Sequence, residues 1–415
     1  MQLPNSQFRL LQVICLISAT TEFGMITALL PFVTKDAGAS PLQHSLIMSA
    51  FFICQIFGLW LRGTISDRYG RKLGLMIALL GSLVGTAMLY SFSSSIIGLL
   101  ISRIVCGFFN GTSLHAIAIV ADTTKGDDQL KRIGIIEGMF WLGSWTVGTA
   151  LIGVFQPLGL QNVLLVAVGL SIFNCILGQF FFKDISHAAA ASTTNEVEWM
   201  TSGLKLFFKN PIISGLLLLV MTYGFGTSMW LGTAMLYFNE RFGFDAQKMS
   251  FIFAFAGIMQ LIAVYNVNRL VKFFGSANIM VLGATLIMIS QVVQGPLHDF
   301  IAPSLSLLVF GMVAQLVGAS LFITIVVHRC MIHAPDSMKA TAYGIVRGTI
   351  ICCRGIAPVA GILYTTVSIS APFYLSAVIL MGTIFLTIRW NKSIKKYEVI
   401  PVSTVEPQPL ESRAA

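Results

Sequence analysis

Five ionisable side chains stand inside long apolar segments of the chain: Glu22, Arg103, His115, Glu137 and Arg354. Inside a membrane, an ionisable residue costs at least ~2.5–3.5 kcal/mol unless it is paired or faces a cavity, so each is a candidate functional residue. Glu22 is the best candidate for carrying protons, because burial disfavours the charged form of a carboxyl group and allows titration near neutral pH. A structural pairing with an arginine is the alternative role of Glu22.

The other four residues point to different chemistry. Arg103 and Arg354 could bind an anionic group of a substrate, or they could serve a conformational or proton-linked step. His115 could relay protons, although packing is the more common role of a buried histidine. Glu137 lies about one turn into its segment, which favours a gate over a substrate contact.

The segments that must position these residues are membrane-spanning helices. Of the 415 residues, 56% are hydrophobic and 10% are charged, whereas soluble proteins have about 25% charged residues. A helix needs about 20 apolar residues to cross a bilayer. Twelve runs meet that length and predict an all-α membrane protein with twelve transmembrane helices: 9–33, 44–62, 73–92, 95–121, 133–156, 160–182, 207–234, 249–268, 277–295, 302–329, 342–366 and 371–390.

The chain divides near its middle. Residues 183–206 are polar and rich in Ala, Ser and Thr, which predicts a cytoplasmic linker between six-helix bundles at 1–182 and 207–391. Residues 392–415 are basic and then rich in Pro, Glu and Ser, which predicts a disordered cytoplasmic tail.

Basic residues concentrate in alternate connections between the runs. The connection after the second run carries Arg62, Arg68, Arg71 and Lys72, whereas the opposite connections at 92–95 and 156–160 carry none. By the positive-inside rule, both the N and C termini are therefore predicted to be cytoplasmic.

Several other classes of protein do not fit. The seven cysteines lie in or at the end of apolar runs, and no Cys or His spacing suits zinc. No phosphate-binding Walker loop and no catalytic motif is present, so we expect no enzyme activity, no cofactor and no metal. The net charge of +9 lies in short runs between apolar segments, which indicates membrane topology and not nucleic-acid binding.

The two halves resemble each other at an offset of 210 residues. Gly134 and Glu137 open the fifth run, and Gly344 and Arg347 open the eleventh at the same spacing. Two repeats of six spans in parallel order are an architecture of secondary transporters.

Three motifs resemble the major facilitator superfamily. Residues 63–72 (GTISDRYGRK) resemble the signature loop between its helices 2 and 3. Residues 103–107 resemble the Arg-x-x-x-Gly element of its helix 4, and residues 354–361 resemble an Arg-x-x-Gly-Pro pattern of helix 11 in the drug-exporter branch. The resemblance extends to about residue 391 and implies the twelve-helix fold of that family.

The first motif implies a gate at the cytoplasmic ends of the helices. Gly63 and Gly70 are expected to allow a tight reversal between two helices. A carboxylate is favoured near a helix N-terminus, and in the family the aspartate that corresponds to Asp67 meets the start of helix 11. We therefore expect Asp67 near Arg347.

The same resemblance implies further ion pairs. The motif arginine of the family meets an acid at the end of helix 4, so Arg68 or Arg71 should lie near Asp122. By the repeat, Glu137 should face a basic residue of the connection between helices 8 and 9: Arg269 or Lys272.

The resemblance also implies a proton-coupled secondary transporter that moves a small organic solute by alternating access and works as a monomer in the lipid bilayer. The helix-11 pattern favours export of an amphiphilic compound. The exporters carry a Gly-Pro pair in helix 5, but Thr149 follows Gly148 here, so proton-coupled uptake of an amino acid, nucleoside or carboxylate stays open, as does a non-transporting membrane sensor. The short loops suit a bacterial inner membrane.

The predicted topology can be tested with reporter fusions. Reporters placed after residue 205 or at the C-terminus should show cytoplasmic activity, and reporters within 235–247 should show periplasmic activity, because basic residues hold the first two sites inside. A periplasmic C-terminus would contradict the count of twelve spans.

Overall fold

The computed structural model describes residues 3–124, 126–183, 210–334 and 339–398, and every regular element within them is a helix. Twelve helices in this part of the chain are long and apolar enough to span a membrane, which confirms the predicted fold class. They are numbered in chain order: α1 Asn5–Asp36, α2 Pro41–Tyr69, α3 Arg71–Ser91, α4 Ile96–Thr123, α5 126–155, α6 Leu160–Phe181, α7 Pro211–Phe242, α8 Ala246–Tyr265, α9 Ser276–Gln294, α10 Leu305–His333, α11 339–366 and α12 Ala371–Glu398.

Two helices extend well beyond their predicted ends. α7 continues from 234 to Phe242, where Gly243 stops it with a φ of 65°. α12 continues to Glu398, so residues 392–398 are helical and the predicted disordered tail is wrong there, because these residues include good helix formers and no proline. The predicted linker, apart from Lys183, and the remainder of the tail lie outside the described residues.

The most extensive contacts between the described parts of the two halves involve four helices. α2 packs along α11, and α5 packs along α8. Because the number of spans is even, α1 begins and α12 ends on the same side of the bundle, which we call the termini side, and the opposite side is the far side. One cluster of buried apolar residues is shared by both halves and includes Phe23, Trp145, Trp230 and Phe253.

α1 and α5 pack backbone to backbone through glycines. A Cβ atom on Gly24 would lie 2.8 Å from the carbonyl oxygen of Gly143, and one on Gly148 would lie 2.7 Å from the Cα of Gly24. Both helices widen into π-helical turns at this level, Ala19–Met25 in α1 and Leu142–Val147 in α5. Only glycine permits so close an approach, so these residues fix the height of α1 against α5.

Two spans are interrupted near their middle. α4 consists of Ile96–Phe109 and Thr112–Thr123. α11 consists of Lys339–Arg354 and Ala357–Thr366, and the second residue of the second part is Pro358, which lacks the N–H needed to continue the first. Each interruption leaves backbone carbonyl groups that can accept hydrogen bonds from side chains.

The glycine contact yields a stability prediction. Gly24→Val should lower the free energy of unfolding by about 1–3 kcal/mol, because the added methyl groups force α1 away from α5. Gly382→Val in α12 is the matched control, since a Cβ atom there meets nothing within 4 Å. Thermal unfolding of both variants in detergent would measure the difference, and equal melting temperatures would contradict the packing argument.

Candidate functional site

Glu22 lies in the π-helical turn of α1 and is 7% exposed. Its Oε2 accepts a hydrogen bond from the side-chain amide of Asn110 in α4. Asn110 reaches the carboxylate because α4 is interrupted there, where Asn110 is extended and Gly111 has a φ of 157°. A hydrogen bond to a carboxylate in a low-dielectric interior is a strong one, so the interruption of α4 supplies the partner that buried Glu22 needs.

Asn110 also connects Glu22 to α2. Gln55 Nε2 donates to Asn110 Oδ1, and Arg62 Nη2 donates to the Asn110 carbonyl oxygen. A Cβ atom at Gly111 would lie 2.8 Å from Arg62 Nη2, so a side chain there would displace the guanidinium. Four polar groups from three spans therefore form one network.

Most of this network is not evident in the sequence. Arg62 was expected in the connection after the second run, whereas it is 1% exposed and lies within α2. Gln55 and Asn110 were not among the expected site residues. The Asn110-Gly111 pair inside an apolar span was the available signal, because Asn-Gly pairs are typical of turns.

Arg103 is fully buried in α4, with its guanidinium carbon 4.1 Å from the centre of the Phe51 ring in α2. None of its three side-chain nitrogens has a hydrogen-bond partner among the described residues, and the same holds for Nε and Nη1 of Arg62. Glu22 is the only buried carboxylate among the described side chains. Among the described side chains, the interior of the N-terminal half therefore contains two guanidinium groups and one carboxyl group.

His115 stays apart from the Asn110 network. It is buried on the part of α4 beyond the interruption, and a Cβ atom on Gly74 of α3 would lie 3.1 Å from its Cε1. Its Nε2 has no hydrogen-bond partner in the described part of the chain. The structure thus does not bring His115 into contact with Glu22.

Arg354 lies between the two halves, at the interruption of α11. Its guanidinium carbon is 5.5 Å from the centre of the Phe23 ring in α1 and 5.3 Å from that of Phe52 in α2. The hydroxyl group of Ser49 in α2 donates to the Gly355 carbonyl, which holds this part of α11 against the N-terminal half. Arg354 therefore presents a positive charge at the interface, beside Phe23, the residue that follows Glu22 in α1.

An ion pair bridges the halves nearer the termini side. Arg347 Nη2 contacts Glu137 Oε2, and both side chains are mostly buried. Arg347 also donates to the Tyr343 hydroxyl at 3.0 Å. The expectation that Glu137 faces Arg269 or Lys272 is therefore wrong. Positions 210 residues apart are related by the pseudo-twofold axis of the two repeats, so residues that face this axis meet each other across it.

The signature motif behaves in part as predicted. Arg71 Nε lies 2.6 Å from Asp122 Oδ2, which confirms the expected pairing of a motif arginine with this acid. Gly70 makes the turn with a φ of 110°. Gly63 does not, because α2 continues through it to Tyr69; one glycine costs a helix only about 1 kcal/mol. Arg68 is exposed, and the side chain of Asp67 lies outside the described residues.

The far side is closed by direct contacts. Hydrogen bonds between described residues cross between the halves there: Lys35 Nζ donates to Asn239 Oδ1, Ser45 Oγ to the Gly232 carbonyl and Gln247 Nε2 to the Gly153 carbonyl. A cavity of about 20 Å³ remains between the halves, with walls that include Pro31, Met48, Trp145, Trp230, Met235 and Phe253. This space suits a water molecule and is too small for an organic solute.

Twelve spans in two halves, joined by an ion pair and enclosing buried charges near their interface, define a membrane transporter. The chain belongs to the major facilitator superfamily, since the profile described as Major Facilitator Superfamily matches residues 13–352.

The proteins that are similar to this chain share low sequence identity with it. The tetracycline resistance protein, class B, of Escherichia coli is 25% identical over 289 residues, which cover 67% of this chain and 70% of that protein. The quinolone resistance protein NorA of Staphylococcus aureus (strain MRSA252) is 23% identical over 255 residues, which cover 60% of this chain and 64% of that protein. The crystal structure of the nucleoside transporter NupG aligns with a TM-score of 0.68 at 15% identity, covering 94% of this chain and 99% of that one. The structural likeness shows a shared fold.

The ion pair between the halves can be tested by charge exchange. Glu137→Arg and Arg347→Glu should each lower the melting temperature, because each places two like charges together. The double variant should recover part of the loss, with a coupling energy of about 1 kcal/mol for a partly exposed pair. The control combines Glu137→Arg with Arg389→Glu, which restores the net charge without restoring the ion pair. Its melting temperature should stay as low as that of Glu137→Arg. Additive losses in the exchanged variant would refute the contact.

Proposed function

We propose that this protein is a proton-coupled secondary transporter that exports an amphiphilic organic compound by alternating access and catalyses no covalent reaction. It works as a monomer in a bacterial inner membrane, with the termini side in the cytoplasm. The observation that carries the proposal is the buried carboxyl group of Glu22, held by Asn110 within a network of α1, α2 and α4.

Glu22 is the proton carrier in this proposal. Its ionised form accepts the Asn110 hydrogen bond and interacts with Arg62 and Arg103, whereas its protonated form is neutral and leaves both guanidinium groups without a counter-charge. The two states therefore favour different positions of α1 and α4. The ring centre of Phe23, the next residue, lies 5.6 Å from the ring centre of Trp145 in α5. The Phe23 ring also lies beside Arg354 of α11. A change at Glu22 is thereby passed to the interface of the halves.

The contacts between the halves form two gates. The far-side hydrogen bonds close the periplasmic entrance in this structure, and the Glu137–Arg347 pair closes the cytoplasmic route. Each gate is made of contacts that separate when the halves rock apart, and each contributes modestly to the balance between states. The Arg71–Asp122 ion pair belongs to the cytoplasmic gate, to which the family motif also assigns Asp67.

Export of drug-like compounds is supported by the names of two relatives, a tetracycline and a quinolone resistance protein. The aromatic side chains of Phe23, Trp145, Trp230 and Phe253 at the interface suit an amphiphilic solute with an aromatic body. Thr149 stands where the exporters carry a proline, so uptake remains the alternative to export. The test therefore also measures the direction of transport.

The test is flux in proteoliposomes with an imposed pH gradient, using tetracycline, a fluoroquinolone and a nucleoside as solutes. Glu22→Gln should abolish gradient-driven flux while exchange without a gradient continues, because an amide cannot titrate but still forms hydrogen bonds. Asp36→Asn, an exposed acid of the same helix, should behave as wild type.

The outcomes separate the parts of the proposal. Normal gradient-driven flux in Glu22→Gln would remove Glu22 from the proton path. Wild-type flux that ignores the pH gradient would contradict proton coupling. Flux of solute in the same direction as protons would replace export by uptake.

A further inference from the structure

Positive charge exceeds negative charge in the middle of this protein. Arg62 and Arg103 are buried in the N-terminal half, Arg354 lies at the interface, and Glu22 is the one buried carboxylate among the described side chains. A charge removed from water needs a counter-charge or a set of hydrogen-bond acceptors. Among the described side chains, buried guanidinium groups therefore outnumber buried carboxylates, which favours an anion over a cation as a ligand there.

Arg354 is the most accessible of these three guanidinium groups, because it is partly exposed whereas Arg62 and Arg103 are buried. It stands between the halves, where substrates of a rocking carrier must pass, and no described carboxylate forms a salt bridge with it. Its observed neighbours are the faces of Phe23 and Phe52. Aromatic faces attract a cation but leave the five N–H donors of an arginine without charged acceptors.

Two acids of the spans, one in α1 and one in α5, are already engaged. Glu22 accepts the hydrogen bond of Asn110, and Glu137 contacts Arg347. The charge of Arg347, further along α11, is neutralised by Glu137, so Arg354 sets the sign of the charge at this point of the interface. A cationic solute that reached Arg354 would meet repulsion, whereas an anion would be attracted.

We propose that the transported solute is an organic anion, with a carboxylate or similar oxyanion that binds Arg354 and an aromatic body that packs against Phe23 and Phe52. The proposal rests on the proposed function, since it names the substrate class of the same central site. Arginine is suited to this task because its planar fork of donors matches a carboxylate with two parallel hydrogen bonds. The aromatic rings, which already lie beside the guanidinium, accept the apolar body of the solute.

The test compares three probes that share one aromatic body and differ in charge: 2-naphthoate, 2-naphthamide and 2-naphthylmethylammonium. Binding to the purified full-length protein in detergent is measured by calorimetry at constant pH, so no proton gradient is involved. The expected result is that 2-naphthoate binds at least tenfold more tightly than either other probe.

Variants of Arg354 assign this preference to the residue. Arg354→Gln should weaken 2-naphthoate binding at least tenfold and change 2-naphthamide binding by less than twofold. Arg354→Lys keeps the charge without the planar fork and should lie between wild type and Arg354→Gln. Arg389→Gln, which removes the same charge from the exposed face of α12, should leave all three affinities unchanged.

The result that would overturn the proposal is 2-naphthoate binding no tighter than the amide or the cation, including no binding of 2-naphthoate at all. A preference for 2-naphthoate that survives in Arg354→Gln, with the variant folded as judged by its melting temperature, would overturn the role of Arg354. These results are independent of proton coupling: a cation-selective protein with gradient-driven flux would refute the anion and retain the proposed function.

Discussion

A carboxyl group inside a membrane needs a hydrogen-bond donor, and in this protein Asn110 supplies it to Glu22. The donor exists only because α4 leaves helical geometry at Asn110 and Gly111, and the carbonyl group released there is taken by Arg62. The rest of the N-terminal half is arranged around this requirement. The glycine contact of α1 with α5 sets the height of Glu22, and α2 brings both Gln55 and Arg62 to the interruption.

The two halves share a fold but differ in their chemistry. The N-terminal half holds the buried carboxyl group, whereas the C-terminal half contributes Arg354 at the interface. Their repeats also differ in sign at one position, where Glu137 of α5 corresponds to Arg347 of α11. Because the pseudo-twofold axis brings equivalent positions face to face, this difference turns what would be a like-charge repulsion into an attraction between the halves.

α1 connects the buried carboxyl group of Glu22 to the interface that carries Arg354. Glu22 and Phe23 are neighbours in one π-helical turn, with the carboxyl group directed to α4 and the ring directed to α5 and α11. A change of charge on one residue and a solute against the other therefore act on the same turn of the same helix. π-Helical turns inside longer helices are frequent at functional sites, where they redirect adjacent side chains.

Twelve spans and a turn at Gly70 follow from the amino-acid sequence, because hydropathy and glycine geometry are local properties. The pairing of a motif arginine with Asp122 came from the family resemblance, which left Arg68 and Arg71 as alternatives. The burial of Arg62, the contact of Asn110 with Glu22, the contact of Glu137 with Arg347 and the aromatic neighbours of Arg354 are evident only in the folded protein. Each of these depends on the height and rotation of one helix against another. Long side chains such as arginine reach several residues along a helix, so their position in the chain does not reveal whether they end in a loop or in the core.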